Sequence, residues 1–207
     1  MSRLTGPEIR RQVEAGVIKI DPYQSEKVQA ASIDLTLGRE VCIYAGTAHA
    51  FGSGVESKSG HSNLILKPVH EMLQPENVLD TRKRNAVVPF VMAKDGVVTL
   101  NPGVLLLMHT AERLHTMNYE VDVTGKSSLG RLGIIVHHTA GHIDPGFDGQ
   151  YTLEVAVVHP VKLYIGMDFC QARFHTLEGE IEDYRLRGNY VGKEALGARA
   201  SRSWRQK

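Results

Sequence analysis

The chain has 207 residues, with 24 Lys and Arg against 23 Asp and Glu for a formal net charge of +1. That balance excludes steering by bulk charge, so neither nucleic acid nor a membrane is expected as a partner. Cys42 and Cys170 form no C-x-x-C pair, and no apolar stretch reaches signal-peptide or membrane-span length. These features predict a reduced, cytoplasmic protein large enough to bury a core without staples.

The first predicted element is a short helix within residues 1–17. Thr5 and Glu8 have capping-box spacing, Leu4 and Ile9 suit a hydrophobic staple, and Ile9, Val13 and Val17 recur at helical spacing before Gly16. The period then changes. Ile33, Leu35 and Leu37 alternate with Ser32, Asp34 and Thr36, which predicts a half-buried strand ending at Gly38. Residues 45–63 are rich in Gly, Ser, Ala and His and read as an exposed loop, and the cationic run 81–84 as a solvated one.

From residue 86 onward, short apolar strands are predicted at 87–92, 96–100, 104–109, 119–124, 133–137, 150–158, 161–165 and 169–175. Asp95-Gly96 and Asn101-Pro102-Gly103 supply turn signals between them. Many short strands with little helix predict a mainly β fold, a closed barrel or jelly-roll sandwich, built as one domain over 1–207. The tail, 178–207, is polar, contains Gly188, Gly192 and Gly197, and carries Arg187, Lys193, Arg199, Arg202 and Arg205. It reads either as a frayed terminus or as a basic lid that orders over an anionic ligand.

Chemistry concentrates in residues 125–154. Gly125, Gly130 and Gly133 allow close backbone approach, Ser127 and Ser128 offer hydroxyls and N–H donors, and Lys126 and Arg131 add positive charge. The set suits an anion with several oxygens, most simply a phosphate chain. On strand 150–158, Tyr151, Leu153, Val155 and Val157 share one face, while Thr152, Glu154 and Ala156 share the other. Glu154 therefore lies either on a solvated strand face or in a pocket, where a carboxylate can act as general base toward water. His137, His138 and His142 with Glu154 raise a cupin-like metal reading. Strand alternation puts His137 and His138 on opposite faces and the usual His-x-His pair is missing, so no metal ligands are assigned.

The run Gly125-Lys-Ser-Ser-Leu-Gly-Arg-Leu-Gly133, with Thr139-Ala-Gly-His-Ile-Asp-Pro-Gly-Phe-Asp-Gly149 and Leu153-Glu154, closely resembles the dCTP deaminases of the dUTPase superfamily. Ala31-Ser-Ile-Asp-Leu-Thr-Leu-Gly38 resembles that family's first core strand, and Tyr190-Val-Gly-Lys193 with Ser201-Arg202-Ser203 its C-terminal lid. The resemblance implies a distorted jelly-roll barrel with a short N-terminal helix and a mobile C-terminal lid, assembled as a homotrimer with active sites at subunit interfaces. It implies zinc-independent deamination of dCTP, with Glu154 activating the water that attacks C4 of cytosine. Ser127 and the Ala140 carbonyl would hold that water, and Arg131 would orient Glu154. Lys126, Ser128 and the backbone of Leu129 and Gly130 would bind phosphates, with Mg²⁺ carried on the triphosphate. Asp144 would meet the sugar 3′-hydroxyl, Phe147 would pack on the sugar, and the main chain at Thr152 and Leu153 would read the base. Tyr184, Asn189 and Lys193 would close over the phosphates. Two isolated cysteines cannot build the His/Cys zinc site of other nucleobase deaminases.

Gly130, Gly141 and Phe147 resemble members that also cleave the dUTP they form, giving dUMP and pyrophosphate. Asn189 stands where the family usually has Lys, and Lys193 where it usually has Gln. A dUTPase-like pyrophosphatase without deaminase activity and a non-catalytic nucleotide-sensing module remain the competing readings.

Overall fold

A computed structural model describes residues 2–52, 61–69 and 78–201. Residues 53–60 of the expected loop, and Arg202, Ser203 and Arg205 of the expected lid, lie outside the described residues.

Helix α1, Gly6–Glu14, follows the expected Thr5, but Thr5 makes no side-chain cap. Glu8 turns to its own helix instead, pairing with Arg11 at 2.5 Å and accepting from Gln12 at 2.7 Å. The exit holds as read: Gly16 has φ +72°, its N–H reaches the Val13 carbonyl, and the Val17 N–H reaches that of Gln12. This is the Schellman arrangement, in which a left-handed residue closes the last carbonyls. Ile9 and Leu4 are both buried.

The strands are β1 (Ile18–Asp21), β2 (Ile33–Thr36), β3 (Glu40–Tyr44), β4 (Ala48–Gly52), β5 (His61–Pro68), β6 (Val87–Leu100) and β7 (Leu106–Thr116). Then follow β8 (Tyr119–Gly125), helix α2 (Ser127–Gly130), β9 (Ile134–Ile135), β10 (His142–Ile143), β11 (Asp148–Val157), β12 (Val161–Tyr164) and β13 (Asp168–Thr176). Among the described residues the larger sheet runs β4-β5-β6-β3-β7-β11-β9, with β1 on β7 and β12 on β6, and the smaller runs β10-β8-β13-β2. One core joins residues of both sheets, with Phe169 and Phe174 of β13 and Leu153 and Val155 of β11 all buried in it. Each such side chain contributes about 1.5–3 kcal/mol on leaving water. The result is the expected mainly β, jelly-roll-like architecture.

Two expectations need correction. Residues 45–63 are not simply loop: Ala48–Gly52 pairs antiparallel with His61–Pro68. Strand β5 begins inside the expected loop and continues past it, where Leu64 and Leu66 are buried in alternation with Asn63, Ile65 and Lys67. Asp95-Gly96 makes no turn, because β6 runs through it while changing partners. Residues Val87–Val91 pair with β3, whereas Val97–Leu100 pair with β12 and β5.

Candidate active site

Strand β11 is the floor of the site. Its burial alternates without a break, with Tyr151, Leu153, Val155 and Val157 inward and Thr152, Glu154 and Ala156 half-exposed. That regularity survives an irregular neighbour. Gln150 faces Arg113 and Thr152 faces His109, so two steps along β11 span four along β7. β7 carries the surplus as a bulge, and the Thr110 hydroxyl accepts the Tyr151 N–H at 3.0 Å. Beneath Thr152, the His109 ring donates from Nδ1 to the Thr110 carbonyl at 2.7 Å and accepts the Glu40 N–H at Nε2 at 3.1 Å. Burial holds its pKa below the ordinary 6.5 against the opposing effect of the Thr110 carbonyl bond, and with Nε2 accepting a hydrogen bond the ring is neutral.

A cavity of about 350 Å³ opens over the polar face of β11, lined by Ala140, His142, Asp144, Phe147, Thr152 and Glu154 and by Tyr184, Tyr190, Arg199 and Ser201 of the tail. It falls within the size range of small-molecule sites. One Glu154 carboxylate oxygen accepts the His138 N–H at 3.1 Å, leaving the other free of that tether. Asp144 is reached by His142, whose other ring nitrogen lies 2.7 Å from Glu120. Burial works against charge on His142, but the Glu120 and Asp144 carboxylates outweigh it and raise its pKa above 6.5. Phe147 packs on Tyr151 and, edge-on, on Tyr184, with centroids 5.4 and 5.7 Å away.

The tail lies across this cavity up to residue 201. The Gly197 N–H donates to Gln150, the Arg199 N–H to the Thr152 hydroxyl and the Ser201 N–H to the Tyr44 hydroxyl, at 2.9, 3.2 and 3.1 Å. Gly149 is required for the fit, since a Cβ there would stand 2.1 Å from the Ala195 carbonyl oxygen. Gly141 is equally constrained, with the Val123 carbonyl oxygen and the His137 ring both 2.6 Å from its would-be Cβ, whereas Gly130 faces open space.

The other half of the motif sits elsewhere. Lys126, Ser127, Ser128 and Gly130 line a separate open groove with Asp34, Gln171 and Arg173. Ser127 and Ser128 are exposed on α2, Leu129 anchors the helix against the core, and Arg131 donates to the Ser127 carbonyl at 3.2 Å. Lys126 turns inward and pairs with Asp34, which is itself buried and also accepts from Gln29 at 3.1 Å and Gln171 at 2.9 Å. Buried charges need such pairing. A second pair lies alongside, with Glu112 accepting the Thr36 hydroxyl at 2.5 Å and Lys27 3.6 Å away.

Of the residues singled out from sequence, the structure thus gathers Glu154, Ala140, Asp144, Phe147, Thr152 and Tyr184 around one cavity. It sets Lys126, Ser127, Ser128 and Gly130 around another, with Leu129 and Arg131 on the same short turn. The Leu153 side chain points into the core, which leaves only its main chain for the site. Asn189 and Lys193 are exposed on the tail and outside the cavity lining; the Lys193 carbonyl accepts from Arg199 at 3.3 Å. Sequence reasoning missed Tyr44, Gln150 and Arg199. Arg199 counted only as one of the tail's cations, although its buried Nε has no hydrogen-bond partner among the described residues. Among the described residues no group of three His, Cys, Asp or Glu side chains could hold a metal ion, and no helix is long and apolar enough to cross a membrane.

A family model described as dCTP deaminase-like matches residues 3–177. The chain belongs to the dCTP deaminase-like family. It is 32% identical over 193 residues to a protein of Cytophaga hutchinsonii named "dCTP deaminase, dUMP-forming", covering 93% of this chain and 92% of the relative. A relative of the same name from Coprothermobacter proteolyticus is 35% identical over 190 residues, covering 90% and 89%. A crystal structure of 2′-deoxycytidine 5′-triphosphate deaminase from Agrobacterium tumefaciens shares the fold, with a TM-score of 0.56 and 21% identity. That match covers 85% of this chain and 48% of the solved one, so the chain spans about half the length of that structure.

Proposed function

We propose that this member of the family is a hydrolase that deaminates dCTP without zinc and carries the product on to dUMP and pyrophosphate. The observation that carries the reading is Glu154, on the polar face of β11, tethered by a single backbone N–H and opening into a nucleotide-sized cavity, whereas Asp148 on the same face is engaged by Arg113. Relatives spanning nearly the whole chain bear the name "dCTP deaminase, dUMP-forming", and Gly130, Gly141 and Phe147 resemble members with both activities. In this reading Glu154 takes a proton from water, and the resulting hydroxide adds to C4 of cytosine. The proton is returned to the exocyclic nitrogen, which leaves as ammonia. The Ala140 carbonyl and Ser127 hold the water, and Arg131 orients Glu154. Asp144 accepts the 3′-hydroxyl and Phe147 covers the sugar, while the main chain at Thr152 and Leu153 reads the base edge. Tyr184, Asn189 and Lys193 close on the phosphates.

Lys126, Ser128, Leu129 and Gly130 take the triphosphate, whose Mg²⁺ arrives with the substrate. The two-cavity arrangement supports a homotrimer with interfacial sites, because one copy's acids need another copy's Ser127 and Arg131 to complete the constellation. Incubation of purified protein with dCTP and Mg²⁺, with products separated by chromatography, tests the reading. The expected products are dUMP and pyrophosphate. Accumulation of dUTP would remove the second step, and cleavage of dUTP with dCTP untouched would replace the deaminase with a pyrophosphatase.

A further inference from the structure

We propose that His142 is a positioning residue: bridging Glu120 and Asp144 as a doubly donating imidazolium, it fixes the Asp144 carboxylate for the sugar and makes deoxyribose recognition pH-dependent. The inference rests on the nucleotide reading of the cavity. Its geometric basis is that both ring nitrogens face carboxylate oxygens, Nδ1 toward Glu120 at 2.7 Å and Nε2 toward Asp144 at 3.1 Å. A neutral imidazole has one N–H and can donate to only one of them. Glu120 is the closer and more sheltered partner, its side chain 12% exposed against 55% for Asp144. The remaining proton therefore stays with Glu120, and Asp144 then faces a ring lone pair and swings away. Protonated, the ring satisfies the first Asp144 oxygen and leaves the second available to a hydroxyl donor.

The surroundings favour the charged ring. On β8, Asp122 is the cross-strand partner of His142, and its carboxylate is balanced by Arg173 of β13 at 3.7 Å. His175 of β13 stands opposite Glu120. Across Asp144, the groove beside the tail carries Glu178, Glu180, Glu182 and Asp183 against Arg187, with Asp183 already engaged by Arg185. Acids outnumber cations around the bridge, so the ring titrates above its ordinary range, with burial opposing and the Glu120 and Asp144 bonds prevailing. Sugar binding is then strong below that midpoint and weakens as pH rises through it.

The test compares Kd for dCTP and for 2′,3′-dideoxycytidine triphosphate on the Glu154→Gln protein, from mildly acidic to mildly alkaline pH. The γ-phosphate titrates in the same range, so the ratio of the two affinities is the readout, since both nucleotides share that group. The ratio is expected to fall roughly 3–10-fold as pH rises, the effect of losing one charge-assisted contact. It should become flat in His142→Gln and be restored on the alkaline side in His142→Arg. A flat ratio in the parent, or an unchanged slope in His142→Gln, overturns the proposal while leaving the nucleotide reading standing. Absence of binding by both nucleotides at every pH overturns the nucleotide reading and the proposal together. Without any nucleotide, the His142 imidazole titration followed by NMR should move down in Asp144→Asn, and an unmoved midpoint overturns the bridge itself.

Discussion

The two halves of the family motif are only a few residues apart in sequence, yet they are held by opposite kinds of chemistry. The cavity half, with Glu154 and Thr152 on β11, rests on a neutral histidine and on hydrogen bonds from the tail's backbone. The turn half, at α2, rests on buried ion pairs: Lys126 with Asp34, and beside it Lys27 with Glu112. The first arrangement fixes an acid precisely while leaving its cavity open. The second fixes the shape of a cationic turn but leaves its serines exposed, in a groove that Glu154 does not line. Neighbouring stretches of sequence thus line two separate cavities.

The sharpest way to break that comparison is complementation. Glu154→Gln and Ser127→Ala should each lose deamination, by about 10²–10⁴-fold for the removed base. Co-assembled, they should recover roughly a quarter of parent activity, the share of interfaces joining two intact halves by random mixing. No recovery on mixing would mean that each chain builds its own site. Next in size, Asp34→Asn should destabilise the protein by about 2–3 kcal/mol in denaturant unfolding. The cost falls below that of a fully buried pair because Lys126 keeps 21% side-chain exposure. A midpoint unchanged from the parent would deny the ion pair its role. The smallest effect concerns the cavity half. His109 has a folded pKa below its ordinary 6.5, so its contribution is complete above 6.5 and fades as pH falls below it. Mild acid should cost on the order of 1 kcal/mol, the loss of one buried hydrogen bond. Thermal unfolding against pH should show this slope, flattened in His109→Gln.

Much of the cavity half was legible in the sequence because strand period alone sorts its side chains. Tyr151, Leu153, Val155 and Val157 went inward as read, and Thr152 and Glu154 went to the opposite face. The exit of α1 at Gly16 was legible for a similar reason, since a left-handed residue needs glycine. The division of the motif between two cavities was not legible, because nothing local encodes which way a turn faces in three dimensions. The strand polarity of β2 also misled: Asp34 alternates like a solvated residue but is buried by Lys126, Gln29 and Gln171, which come from distant segments. Asp95-Gly96 failed as a turn because two different neighbours claim the strand on either side of it. Docking of the tail was not legible, as its bonds to Gln150, Thr152 and Tyr44 are given by backbone N–H groups and the side chains it buries at Ala195 and Ala198 are too small to form a pattern.

That last feature bears on how the enzyme can be altered. A segment gripped by its peptide groups tolerates change at the side chains it displays to solvent, provided that no proline removes a donor at 199 or 201 and that the buried Ala195 and Ala198 stay small. Positions 189 and 193, exposed on the tail, can therefore be exchanged while the strap stays seated. Gly197 is a fixed point beside them, because its φ of +73° strains any other residue and the Glu40 carboxylate, 2.0 Å from a would-be Cβ, would have to move. Drift in ligand preference can proceed in such a segment without first passing through an undocked intermediate.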